Sequence, residues 1–248
     1  MSRTLGIFAR QPVPGRVKTR LAAAIGADRA LELYRALLAD LLSREAVAGE
    51  RRVVAYAPGD DAAADEFRRL APSGTELWPQ PEGTLGDRLT NFFRTFLQAP
   101  EDVAIAIGTD SPTLPDAVIK AAFEESPRAD AILGPATDGG YYLIGFRGTD
   151  RVVEALVLGE SGAEAHRPLL ADIEWGGPRV LTQTVARLQQ FGLSIHLLPP
   201  WYDVDTPDDL VSLTGHLRAM AAAGEPIPCP HTARILAAGA RAPEETSP

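Results

Sequence analysis

Four cations, Arg10, Arg16, Lys18 and Arg20, fall within eleven residues that also hold Pro12, Pro14 and Gly15. Side chains of this kind bind phosphate oxygens, arginine through its planar fork and lysine as a point charge. Acids that could complement them lie far along the chain, at Asp110 and in Asp203-Val204-Asp205. Mg2+ takes one or two carboxylates from a protein and fills its sphere with water and substrate phosphates. Asp138-Gly139-Gly140-Tyr141 puts a further carboxylate on a glycine turn, and Gly83-Thr84-Leu85-Gly86-Asp87-Arg88 forms a second Pro- and Gly-rich loop with its preceding residues. The pattern suits a nucleotide gripped by its phosphates, with a divalent ion on the acids.

Each motif also has a plainer reading. The cations can be a solvated loop, although they reverse the sign of a chain whose formal net charge is −9. Asp110 either binds metal or caps the turn that follows it. Thr206-Pro207-Asp208-Asp209 is a helix start, with a threonine cap, proline at the first position and acids in the first turn. That leaves Asp203 and Asp205 unexplained. Asp138 can be a turn residue, an acceptor-binding carboxylate or a base. The loop with Gly83, Gly86 and Arg88 either lets a nucleobase approach the backbone or only begins a helix.

Several chemistries are excluded by pattern. Lys18-Thr19 is not a Walker loop, because Val17 stands where its glycine would be. No G-x-G-x-x-G follows the first strand, no G-x-S-x-G elbow occurs, and the four histidines have no metal-ligand spacing. The acidic balance argues against nucleic acid as a partner. No apolar run reaches the roughly 18–20 residues of a membrane span, and no signal peptide opens the chain, so a cytoplasmic location is expected. Cys229 is the single cysteine, set between prolines, and reads as an incidental thiol.

These residues need elements to place them. Apolar runs over 4–9, 52–57, 76–78, 103–107, 129–134, 141–146 and 194–198 predict strands, with Val103–Ile107 apolar throughout and so covered on both faces. Helical spacing predicts helices from Asp28, as N-cap, to Ala46, and over 61–70, 85–97, 115–124, 180–191 and 208–223. Residues 150–178 read as irregular with short helices. Strands alternating with helices predict one α/β domain over residues 1–223, a mainly parallel sheet with helices on both faces, and a hairpin or antiparallel edge at Asp138-Gly139-Gly140. Residues 224–248 read as a loosely packed tail.

Four of these stretches together resemble one family. They are Phe8–Leu21, Gly108–Pro112, Gly134–Gly145 and Tyr202–Pro207, and the likeness runs in order from about residue 4 to residue 215. The family is the glycosyltransferase-A-like one of the nucleotide-diphospho-sugar transferase superfamily, labelled as arsenosugar-biosynthesis or selenodomain-associated transferase. The resemblance implies a Rossmann-like sheet of the glycosyltransferase-A type. It implies a nucleotide at Ala9, Arg10, Gly15, Arg16, Lys18 and Arg20, and Mg2+ or Mn2+ on Asp110 with Asp205 or Asp203. The reading that follows is nucleotidyl transfer from a nucleoside triphosphate to a small phosphorylated acceptor. Lys18, Arg20, Asp110 and Asp138 are its catalytic residues, Gly83, Gly86 and Arg88 take part in nucleotide binding, and Asp138, Gly139, Gly140 and Tyr141 bind the acceptor. Sugar transfer from a nucleotide-sugar is the alternative, although Asp110-Ser111-Pro112 stands where sugar transferases of this fold often carry Asp-x-Asp. A non-catalytic nucleotide-binding module is the third. Which base, which acceptor, and whether the protein is a homo-oligomer are left open by the sequence.

Overall fold

A computed structural model describes residues 1–44, 50–157 and 167–239. The chain divides into two compact units. The first comprises Met1–Gln11, Glu45–Ser111 and Pro115–Asp203, and the second Pro12–Arg44, Pro112–Leu114 and Val204–Pro248.

The first unit holds the whole sheet. Its strands are β1 (Arg3–Arg10), β2 (Glu50–Ala57), β3 (Glu76–Pro79), β4 (Val103–Ile107), β5 (Ala131–Pro135), β6 (Tyr141–Arg147) and β7 (Ile195–Leu197), in the order β3-β2-β1-β4-β6-β5-β7. β1 pairs in parallel with β2 and β4, with Arg3 opposite both Glu50 and Val103. β6 runs antiparallel to both neighbours, β4 and β5. The predicted hairpin is therefore real, but β6 lies inside the sheet and not at its edge. The α/β class and the mainly parallel sheet are as the sequence predicts.

Alternation along the strands divides the sheet's side chains between two faces. On one face Val53, Ala55, Ala104, Ala106, Ala131, Leu133, Ile144 and Phe146 meet three helices. These are α4 (Leu85–Phe96), through Leu89, Phe92, Phe93 and Phe96; α6 (Asp150–Val157), through Val152, Ala155 and Leu156; and α7 (Val180–Gln190). Phe93 meets Phe146 edge to face with centroids 4.7 Å apart, a favoured aromatic geometry. α3 (Asp61–Leu70) covers the other face, where Phe67 packs on Tyr56, and α5 (Asp116–Glu125) lies against β4. The central strand β4 is buried at every residue.

The second unit is helical, built from α1 (Thr19–Ile25), α2 (Ala27–Ser43), α8 (Pro207–Ala223) and α9 (Pro230–Gly239). The sequence reading has no α1, in which Leu21 is the one buried residue and so leaves no periodic stripe. Gly26 and not Asp28 caps α2, because the chain turns there with φ 88° between two helices; Asp28 falls in the first turn. The predicted end of this helix at Ala46 lies outside the described residues, as do 158–166 and 240–248.

Residues 230–239 depart from the loosely packed tail that composition suggests. They form α9, which packs on α2. Asp40 of α2 is 2% exposed and accepts hydrogen bonds from the backbone N–H of His231 and Thr232, both at 2.8 Å. A carboxylate on the free N–H groups of a helix start satisfies those donors and complements the macrodipole. Cys229 is buried beside it, and burial, together with the Asp40 charge and offset in part by Arg44, pushes the thiol up to about 12. At working pH it stays a neutral, packed thiol.

Candidate functional site

The loop after β1 is built from its own residues. Arg16 N–H donates to Val13 O at 3.1 Å across Pro14-Gly15, and Gly15 takes φ 72°. Proline then glycine with positive φ is the signature of a type II turn. Val17, 4% exposed, packs with Leu31 and Tyr34 of α2 and anchors the loop. Lys18 follows in the left-handed region, φ 47° and ψ 44°, at the start of α1.

Lys18 makes contacts that the sequence does not announce. Its side chain is 3% exposed, and Nζ donates to Val204 O at 2.6 Å and to Asp205 Oδ1 at 2.9 Å. The ammonium ties the loop to the Val204–Thr206 segment of the same unit. Arg16 and Arg20 are exposed. The four predicted cations thus comprise one with a buried side chain, Lys18, and three exposed arginines, Arg10, Arg16 and Arg20.

α8 begins as predicted. Thr206 accepts from Asp209 N–H, Asp209 answers on the Thr206 N–H, and Pro207 opens the helix: a reciprocal capping box. Asp209 also accepts from Asp205 N–H at 3.0 Å. Burial alone would raise the Asp209 pKa; the Thr206 hydroxyl, the two N–H donors and Lys18 outweigh it and hold the carboxyl below its ordinary value.

In the first unit, β4 ends at Ile107 and the chain turns through Gly108-Thr109-Asp110-Ser111. Thr109 Oγ1 donates to Asp110 Oδ1 at 3.1 Å, and Ser111 Oγ donates to Asp203 Oδ1. The second bond holds the Asp110 turn next to Asp203, and nothing in the sequence announces it across 92 positions. The turn after β5 is a near neighbour of the same segment. Thr137 N–H donates to Trp201 O at 3.0 Å, and Asp138 Oδ1 accepts from Gly140 N–H at 2.8 Å. Gly139 takes φ 92°, and a Cβ there would stand 2.1 Å from Pro178 O, so only glycine fits. Asp138 is exposed. Tyr141 points inward: its ring meets Trp175 edge to face at 6.3 Å, its hydroxyl is buried, and burial drives the phenol far above its ordinary pKa.

The Gly83–Arg88 stretch is a helix start. Thr84 and Asp87 form a capping box, and Gly86 is packed so that a Cβ would lie 2.4 Å from Leu170 O. Gly86 therefore serves packing within the protein. Arg88 is half-buried and reaches Gln80 Oε1 at 3.4 Å, a partner the sequence reading did not single out. Ala9 is 1% exposed within β1, so its side chain belongs to the core; Arg10 beside it is exposed.

Among the described residues, no group of three or more His, Cys, Asp or Glu side chains is arranged to hold a metal ion. Asp205, in the second unit, is paired with the buried Lys18 ammonium. Asp110 and Asp203, linked through Ser111, fit a Mg2+ that takes two carboxylates and completes its sphere with water and phosphate. No helix among the described residues is long and apolar enough to cross a membrane.

A family model described as "Uncharacterized protein conserved in bacteria (DUF2064)" matches residues 40–177, more than half of the chain. The chain belongs to this family. No curated protein matches it. Among solved structures, a "putative nucleotide-diphospho-sugar transferase" from Desulfovibrio desulfuricans G20 is 29% identical, with TM-score 0.81 over 97% of this chain and 96% of that one. A 4-diphosphocytidyl-2C-methyl-D-erythritol synthase from Anaerococcus prevotii DSM 20548 shares the fold at 8% identity, with TM-score 0.53 over 88% of this chain and 96% of that one. The inositol-1-phosphate CTP transferase of T. maritima does so at 16% identity, with TM-score 0.50 over 91% and 98%. The family member described here therefore has the fold of nucleotide-using transferases.

Proposed function

We propose that the protein is a transferase acting on a nucleotide, and that it moves a nucleotidyl group from a nucleoside triphosphate to a small phosphorylated acceptor. The observation that carries this reading is the loop after β1, pinned from within by Val17 and Lys18 so that Arg16 and Arg20 face solvent as two cations. In open α/β sheets, ligands bind beyond the carboxyl ends of the strands, which is where this loop begins. Guanidinium forks at Arg16 and Arg20 grip phosphate oxygens. Lys18 fixes the loop and neutralises Asp205. Asp110 and Asp203 would hold Mg2+ or Mn2+, which when bound neutralises charge on the phosphates. Asp138, exposed on its turn, binds the acceptor. An acceptor phosphate oxygen attacks the α-phosphorus, the bond to the β-phosphate oxygen breaks, and pyrophosphate leaves with that electron pair. Positioning and charge stabilisation supply most of the rate.

A second reading, transfer of the sugar from a nucleotide-sugar, draws support from the 29% identical structure and its name. A thermal-shift comparison separates the two: nucleoside triphosphates against nucleotide-sugars, each with and without Mg2+ or Mn2+, followed by an assay of pyrophosphate release. A ligand at about 100 times its Kd adds about 2.7 kcal/mol to the folded state, a readily measured rise in Tm. Triphosphates that raise Tm with metal and release pyrophosphate support nucleotidyl transfer, whereas a response to nucleotide-sugars alone favours the second reading. If neither panel moves the melt, the nucleotide reading fails.

A further inference from the structure

The outer side of α8 is not explained by its own unit. Of its 17 residues the helix buries only Leu213 and Leu217. A surface helix ordinarily carries charged side chains on the side away from its core. From Leu210 to Ala223, however, Arg218 is the one residue of the Asp, Glu, Lys and Arg types. The exposed side presents Val211, Gly215, Ala219 and Ala222 instead, and Val211 is 72% exposed. Gly215 weakens the helix from within. Apart from adjacent residues and the helix's own backbone, no atom stands within 4 Å of where its Cβ would be. Nothing inside the chain calls for a glycine there, whereas a backbone approaching from outside would.

The charges bordering this row say what approaches. Asp208 and Arg218 are exposed, and among the described residues neither side chain has a hydrogen bond or an ion pair. At 3.6 residues per turn, Asp208, Val211, Gly215, Arg218, Ala219 and Ala222 fall within about 100° of the helix circumference. They form one face, with an acid near its start and a base toward its other end. A second copy of α8 laid antiparallel, with a two-fold axis at the level of Leu213, brings each Asp208 opposite the other copy's Arg218. The same register brings each Val211 opposite the other copy's Gly215. A parallel copy would set Asp208 on Asp208. A two-fold contact requires this kind of self-complementarity, in which residue i meets j and j meets i.

We propose that the exposed face of α8 is a homodimer contact in which two copies of the helix pack antiparallel, Val211 against the other copy's Gly215 and Asp208 paired with the other copy's Arg218. One helix face is smaller than the roughly 800 Å² per partner of a stable interface, so the dimer is weak and depends on concentration. The inference stands apart from the nucleotide reading, since it uses no residue of the proposed site.

The test is sedimentation equilibrium of the full chain, from micromolar to sub-millimolar concentration. The samples are the wild type, Asp208→Arg, Arg218→Asp, the double variant carrying both changes, and Gly215→Gln. The wild type is expected to dimerise reversibly. Each single reversal sets like charges opposite one another and should weaken the dimer about tenfold or more. The double variant restores opposite charges and should recover the affinity. Gly215→Gln places a better helix former in open space, so Tm holds or rises while the dimer is lost. A wild type that stays monomeric throughout overturns the proposal and leaves the face to a different partner. A dimer unchanged by the single reversals and by Gly215→Gln overturns it too, because the contact then lies elsewhere. So does a double variant no tighter than the singles, which contradicts the antiparallel register. Far-UV circular dichroism checks folding. If Asp208→Arg, which removes an acid from the first turn of α8, fails to fold, Arg218→Asp and Gly215→Gln still decide.

Discussion

The Lys18–Asp205 pair makes the sharpest energetic prediction. The ammonium is 3% exposed and the carboxylate 39%, with 2.9 Å between Nζ and Oδ1. At that separation and an effective dielectric constant of about 20, the gross attraction is roughly 5–6 kcal/mol. Burying the ammonium takes back much of this, while the half-exposed carboxylate keeps part of its hydration. A coupling of about 1.5–3 kcal/mol should remain, in the range of hydrogen bonds to charged groups. An ordinary surface pair would show about 0.2–1 kcal/mol. Urea denaturation of the wild type, Lys18→Met, Asp205→Asn and the double variant measures the coupling directly. Asp205→Asn alone should be the more harmful single change, because it removes a counter-charge from a buried ammonium while Lys18→Met leaves a half-exposed carboxylate. A coupling under about 0.5 kcal/mol would refute the view of Lys18 as an internal anchor and return it to the phosphate-binding role that the sequence suggests.

Two further outcomes follow from the helix starts. The carboxyl of Asp209 is held below its ordinary 3.8 in the folded state, so its contribution is fully present above that value and is lost as pH falls through the lowered one. The stability gap between wild type and Asp209→Asn, measured by denaturation across pH, should be constant above about pH 5 and shrink at more acid pH; a gap that widens there contradicts the sign. Asp40→Ala strips two N–H groups, the buried one of Thr232 and the part-buried one of His231, of their acceptor and should cost about 2–4 kcal/mol, seen as a lower midpoint in urea and as faster amide exchange confined first to α9.

What the sequence made legible was local. Val103–Ile107 could only be a buried strand, the glycine pair after Asp138 could only turn the chain, and Thr206-Pro207-Asp208-Asp209 spells out a helix start that the structure repeats bond for bond. What it hid was long-range. One partner of Lys18, Asp205, lies 187 positions away, and one partner of Asp203, Ser111, lies 92 away. The cation cluster could be recognised, but not which cation is buried, since that depends on Val17 and the Val204 carbonyl arriving together. The last helix was missed for the same reason: its start is capped by Asp40, an acid from another helix, so no capping residue in its own sequence announces it.

The sheet's margins have a consequence of their own. Its outermost strands, β3 and β7, are four and three residues long, and β3 closes on Pro79, which has no N–H to offer. The long strands β1, β2, β4 and β6 are all enclosed between neighbours. A strand from another chain would find at either border only a few backbone groups to zip against, too few to template cross-β growth. Concentrated solutions of the folded protein should therefore resist fibril formation without needing charged gatekeepers along those borders.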